Sequence, residues 1–204
     1  MKIQEKEMNG RVTKKKLEEL LLQVGLRIAR RGEGALFIIG HVEYRPLIDQ
    51  TVPPFNVMSN PKLLESLALM DGAVVINEKG YMEAYGVMIK SKKMFKNFGT
   101  RHSAALSASQ NSNTVVIVSE EDRKVKIIRN GKMVMQIDAL QKNVEESVHD
   151  AINVLESVGA GTVGTIGTSI LVPTLGISFL PGVVLFGSAY YLGKIITQRF
   201  SHKS

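Results

Sequence analysis

The sequence predicts an α/β fold: a mixed central β-sheet flanked by helices, followed by an apolar, glycine-rich helical C-terminal segment. Three observations carry this. Short continuous apolar runs, ALFIIG at 35–40, AVVI at 73–76 and TVVIVS at 114–119, read as strands buried on both faces. Helical spacing and helical caps separate them. From Ser157 to Gly193 no charged residue occurs, which sets that stretch apart from all that precedes it.

Taken in order, Thr13 can cap a helix from about Lys14 to Arg31, whose Leu17, Leu20, Leu21, Val24 and Ile28 fall on one stripe. Gly32-Glu33-Gly34 ends it, and the strand Ala35 to Gly40 follows. The segment holding Pro46, Pro53 and Pro54 reads as a long surface connection. Asn60 then Pro61 is a helix start, a capping side chain and a proline at the first helical position. That helix, through about Leu69, delivers the chain to Asp71. The strand Ala73 to Ile76 turns through Glu78-Lys79-Gly80 into a second, Tyr81 to Ile89. After a basic connection come a helix over Gly99 to Ser109 and the strand Thr114 to Ser119. Asn130-Gly131 between two alternating runs predicts a type I′ hairpin. From about Asn143 the chain is again helical.

Composition narrows the function. A chain of 204 residues with 44% hydrophobic and 22% charged content suits one folded domain with a sizeable core, or one domain plus an appendage. The net charge of +7 favours an anionic partner, but much of the excess sits in Lys14–Lys16 and Lys90–Lys96, which read as solvated clusters. No base-reading motif is present, so nucleic acid is not expected. The absence of cysteine excludes disulfides and thiolate-held metals. The N-terminus is too charged for a secretory signal, which suits a cytoplasmic protein.

Three short stretches carry chemistry. Gly99-Thr100-Arg101-His102 opens a helix whose unpaired N–H groups and macrodipole favour an anion; Gly99 lets it approach, and Thr100 and Arg101 add donors. Ala104, Ala105, Ser107 and Ala108 would let that helix lie close on the sheet. Asp71-Gly72-Ala73 puts a carboxylate at a helix-to-strand junction, able to hold a divalent metal or receive a proton. Ser119-Glu120-Glu121 ends a strand with a hydroxyl and two acids. Taken alone, the first reads equally well as an ordinary capped helix, while the second reads more readily as a common Asp-Gly turn and the third as a solvated acidic turn.

In this order, DGA at 71–73, GTRH at 99–102 and VSE at 118–120 resemble the diadenylate cyclase family, over roughly Lys14 to Leu140. The specific part is the pairing of DGA with a downstream GTRHxAA. The resemblance implies condensation of two ATP into cyclic di-AMP, linked 3′,5′, with release of two pyrophosphates. It implies Asp71 as the acid that activates the ribose 3′-hydroxyl and Arg101 as its cationic partner in catalysis. Gly72 and Ala73 would line the ribose and the reacting phosphate. Gly99, Thr100, Arg101, His102 and Ser119 would hold the triphosphate, and Asp71 and Glu120 would hold Mg²⁺ or Mn²⁺. Val87 and Met88 match the part of the family that contacts adenine. One active site offers one ATP, so the second 3′-hydroxyl must come from a facing protomer and a homodimer is expected. A module that binds ATP or cyclic di-AMP without turnover is the alternative reading.

The expected organisation is an N-terminal extension at 1–12, the catalytic domain at 13–141, a connecting helix at 142–156, the apolar segment at 157–193 and a basic tail at 194–204. The apolar segment is longer than the roughly 20 residues of one membrane span, and Pro173 interrupts it. A hairpin of two short helices would keep both flanks, including Lys194, Arg199 and Lys203, in the cytoplasm. Membrane association is the expectation; a buried soluble hairpin or an oligomerisation arm is its rival.

Overall fold

The computed structural model describes residues 13–90, 100–111, 113–159, 177–180 and 183–185. The elements run α1 (Lys14–Arg30), β1 (Ala35–Ile39), β2 (Tyr44–Pro46), β3 (Phe55–Asn56), α2 (Pro61–Ala68), β4 (Ala73–Ile76), β5 (Tyr81–Ile89) and α3 (Thr100–Ala108). There follow β6 (Thr114–Ser119), β7 (Lys124–Arg129), β8 (Lys132–Asp138), α4 (Ser147–Gly159), β9 (Ile177–Leu180) and β10 (Val183–Leu185). The strands form one mixed sheet in the order β2-β5-β4-β1-β6-β7-β8-β10-β9, with β3 also on β5. β1 and β4 pair in parallel, and β1 meets β6 antiparallel.

The apolar runs become central strands because both faces are covered. Along β1, Phe37 and Ile39 join the core beneath α1, α2 and α4, while Leu36 and Ile38 join the core beneath α3. In β6, Val116 and Val118 face one way, Val115 and Ile117 the other. Thr13 caps α1, its hydroxyl oxygen accepting from Lys16 N–H at 3.4 Å. The I′ hairpin forms as its residues predict, with Asn130 and Gly131 at φ 51° and 69°.

The structure departs from expectation in four places. Asn60 does not cap α2; its side-chain amide donates to the Asn56 carbonyl at 3.4 Å, and Pro61 alone marks the start. The proline-rich connection contributes β2 and β3, both paired with β5. It is also stapled to that strand by side chains. Gln50 exchanges hydrogen bonds with the Tyr85 backbone, and the Tyr85 hydroxyl accepts from Thr51 and Val52 N–H. α4 starts at Ser147 rather than Asn143, whose φ of 59° is left-handed and ends helical geometry there.

The fourth departure lies in the apolar segment. The helical hairpin expected over 157–193 is helix at its start, where α4 runs to Gly159, and strand at 177–180 and 183–185; the remainder lies outside the described residues. Ile177, Phe179, Val183 and Val184 are β-formers, and β10 supplies partners for the edge of β8 in the register Val183 with Ile137. Among the described residues, no helix is long and apolar enough to cross a membrane. Val183 is 2% exposed and belongs to the main core, a burial of about 1.5–3 kcal/mol for a side chain of that kind. Ending the chain at residue 176 is therefore expected to lower the thermal midpoint by several degrees. An unchanged melting curve would show that β10 adds nothing to the sheet.

A buried ion pair ties the layers together. Glu18 on α1, fully buried, meets Arg129 of β7 at 2.5 Å, and Arg129 also reaches Glu156 of α4 at 2.7 Å. Burial pushes the Glu18 carboxyl up, and the Arg129 charge opposes this. Arg129→Met should therefore cost about 3–5 kcal/mol by chemical denaturation, because it strands a buried carboxylate. A loss below about 1 kcal/mol would mean that water already solvates Glu18.

Candidate active site

Strand register explains why distant parts of the chain meet. Ala73 pairs with Val87, Val74 with Phe37, Ala35 with Val118 and Leu36 with Ile117. The amino ends of β1 and β4 and the carboxyl ends of β5 and β6 thus share one end of the sheet. α3 packs on β1, β6 and β7, and its small buried residues Ser103, Ala105 and Ala108 allow close approach.

A cavity of about 560 Å³ opens at that end. This volume suits one nucleotide-sized ligand. Asp71, Gly72, Ala73, Val87, Met88, Arg101, His102, Ser119 and Glu120 all line it, together with Leu36, Leu47, Ile117 and Glu121. Thr100 is the first residue of α3, and Gly99 lies outside the described residues. Val87 is 1% exposed and packs into the core, so of the two residues matched to adenine contact, Met88, 44% exposed, has surface to offer.

Two glycines set the geometry. Gly72 has φ 106°, and a Cβ there would stand 2.7 Å from Val87 N and 2.8 Å from Val87 O. The chain bearing Asp71 thereby crosses β5 with no room for a side chain. Gly34, which the sequence marked only as the end of a helix, lies against Arg101. A Cβ on Gly34 would be 2.1 Å from Arg101 Nη1. The guanidinium therefore occupies the space that glycine leaves empty.

Behind the first turn of α3 sits a polar cluster that the sequence did not announce. Lys126 Nζ lies 2.9 Å from Asp122 Oδ2 and 3.5 Å from His102 Nε2. Burial would raise the Asp122 carboxyl, but hydrogen bonds from Ser119 and Lys126 outweigh it and hold the group below its ordinary range. Burial, then the Lys126 charge, lowers the His102 pKa; Asp122 and Glu121 pull the other way without prevailing.

The donor set limits what metal the cavity could take. Asp71 and Glu120 both line it, yet no group of three or more His, Asp or Glu side chains is arranged to hold a metal among the described residues. Two carboxylates with the remaining positions left to phosphate and water is the manner of a hard, octahedral cation and not of zinc.

A family model described as DisA bacterial checkpoint controller nucleotide-binding, the DAC domain, matches residues 25–133. The chain belongs to the DAC family. Within it, a diadenylate cyclase from Haloferax volcanii is 29% identical over 142 residues, covering 58% of this chain and 51% of that protein. One from Methanocaldococcus jannaschii is 30% identical over 141 residues, covering 62% and 45%. The chain thus spans about half the length of these relatives. Among solved structures, a double mutant of DacA from Staphylococcus aureus is 24% identical with a TM-score of 0.42, covering 66% of this chain and 94% of that one. The DAC match takes in all three motif stretches and both glycines that shape the cavity.

Proposed function

We propose that this DAC protein is a diadenylate cyclase that condenses two ATP into cyclic di-AMP with release of two pyrophosphates. The observation carrying this reading is that Asp71 and Arg101 open onto one nucleotide-sized cavity, in a family whose matched relatives bear that name. In each half-reaction a ribose 3′-hydroxyl attacks the α-phosphorus of the facing ATP. The new P–O bond forms as the bond to the β-phosphate oxygen breaks, and the hydroxyl proton passes to the Asp71 carboxylate. Arg101 and the amino end of α3, with its positive dipole, hold the triphosphate and oppose its charge, aided by His102 and Ser119. Gly72 and Ala73 let the ribose and α-phosphate lie against the backbone, and Met88 offers an apolar surface to the base. A Mg²⁺ or Mn²⁺ held by Asp71 and Glu120 would neutralise phosphate charge.

One cavity takes one ATP, so two protomers must face each other across their clefts. Exposed Leu47 and Met88 at the cavity, and Met70 beside Asp71, supply apolar surface for that contact. Incubation of the full chain with ATP and Mn²⁺, followed by chromatography, should yield cyclic di-AMP, with specific activity rising with protein concentration. ATP left intact, though bound, would instead favour a sensing module. We also read the uncharged C-terminal stretch outside β9 and β10 as a point of membrane association; recovery wholly in the supernatant after membrane sedimentation would oppose this.

A further inference from the structure

Lys126 was unremarked in the sequence, yet its placement constrains the chemistry of His102. β7 alternates: Val125 and Ile127 face the core beneath α1, and Ile128 faces the core beneath α3. Lys126 lies on the α3 side with a side chain only 11% exposed. A lysine so covered loses solvation of its charge and needs a partner. Asp122, at 2.9 Å, supplies it.

The pair aims the ammonium at His102 Nε2, 3.5 Å away. An ammonium has donors only. If Nε2 carried a proton, two N–H donors would confront each other beside a fixed positive charge. The arrangement is favourable only when Nε2 is an acceptor. The ring must then carry its proton on Nδ1 and be neutral, since the imidazolium donates from both nitrogens. Burial of the ring and the adjacent Lys126 and Arg101 charges favour the same neutral state; Asp122 and Glu121 oppose it and are outweighed.

We propose that Lys126 is a positioning residue: held by Asp122, it fixes His102 as the neutral Nδ1–H tautomer and lends the tip of α3 the positive charge that the histidine does not carry. This deepens the proposed reading of the cavity and rests on it for the link to ATP. His102 would then line the cavity as a neutral ring of fixed orientation, while Arg101 and Lys126 supply the charge. A Lys side chain held by a carboxylate is less able to collapse onto the triphosphate, so it orients the ring and does not compete with it.

The test reads the tautomer directly. The full chain, labelled with ¹⁵N in the histidine rings, is examined at neutral pH by long-range proton–nitrogen correlation, with His102→Asn assigning the signal. The wild type should show a protonated Nδ1 and a bare Nε2. In Lys126→Met the proton should move to Nε2 or the ring should gain charge, and Lys126→Arg should restore the wild-type pattern. A wild-type ring protonated at Nε2 overturns the proposal, as does a Lys126→Met ring still protonated on Nδ1 alone. In the ATP assay, Lys126→Met should raise KM for ATP about tenfold, with recovery in Lys126→Arg; an unchanged KM also overturns it. The two readings fail separately. No cyclic di-AMP from a wild type with the Nδ1–H ring contradicts the proposed activity and upholds the placement of Lys126. An active wild type with the Nε2–H ring contradicts Lys126 alone.

Discussion

Asp71→Asn is expected to abolish cyclic di-AMP formation, a loss of at least about 100-fold, while ATP binding measured by calorimetry stays close to wild type. Asparagine keeps the shape of the side chain but neither accepts the 3′-hydroxyl proton nor carries the negative charge that a divalent cation needs; removing a general base costs roughly 10²–10⁴ in rate. Asp71 is exposed at the cavity, in the turn between α2 and β4, so the substitution should leave the melting curve unchanged. Full activity in the variant would remove Asp71 from the chemistry.

Gly34→Ala should separate activity from stability even more sharply. The added methyl would stand 2.1 Å from Arg101 Nη1, but the nearest backbone atom, Val118 O, is at an ordinary 3.4 Å. The end of a flexible arginine yields before backbone does, so the fold should accept alanine and the guanidinium should move. Replacing glycine where the conformation permits even stabilises, by about 0.4–1 kcal/mol. Displacing a catalytic contact by about 1 Å costs on the order of 100-fold in rate. We therefore expect a variant that melts at or above the wild-type temperature and makes about 100-fold less product. Gly72→Ala is the contrasting control: there φ is 106° and the obstructing atoms are the Val87 backbone, so stability should fall together with activity. Wild-type turnover in Gly34→Ala would show that Arg101 acts from a different position.

These cases also show what could be read from residues alone. The central strands were legible because both faces are apolar, as in Val115–Val118, and the hairpin because Asn130-Gly131 admits positive φ. Three motifs far apart in sequence pointed to one cavity, and strand register brings all their described side chains to it save Thr100, of which only the helical backbone is described. Gly34 carried no such signal: its role is the space it leaves for a side chain from α3, a purely tertiary relation. Lys126 was hidden for a related reason. In KVKIIR the alternation of charged and apolar residues reads as one solvated face, and only the packing of α3 across β7 turns that face inward. β9 and β10 were missed because an uncharged, glycine-rich stretch has no period that separates strand from helix. Only the free edge of β8 decides it.

The central claim is that one carboxylate and one cationic helix tip serve the same ATP. Its most direct test is a crystal structure of the full chain with 3′-deoxy-ATP and Mg²⁺, which lacks the attacking hydroxyl and so cannot be turned over. The account predicts density in the cavity with the ribose beside Asp71 and Gly72, the triphosphate at Arg101 and the first turn of α3, and the 3′ edge turned toward a second protomer. A nucleotide bound elsewhere, or one that touches Arg101 while its ribose points away from Asp71, would contradict it.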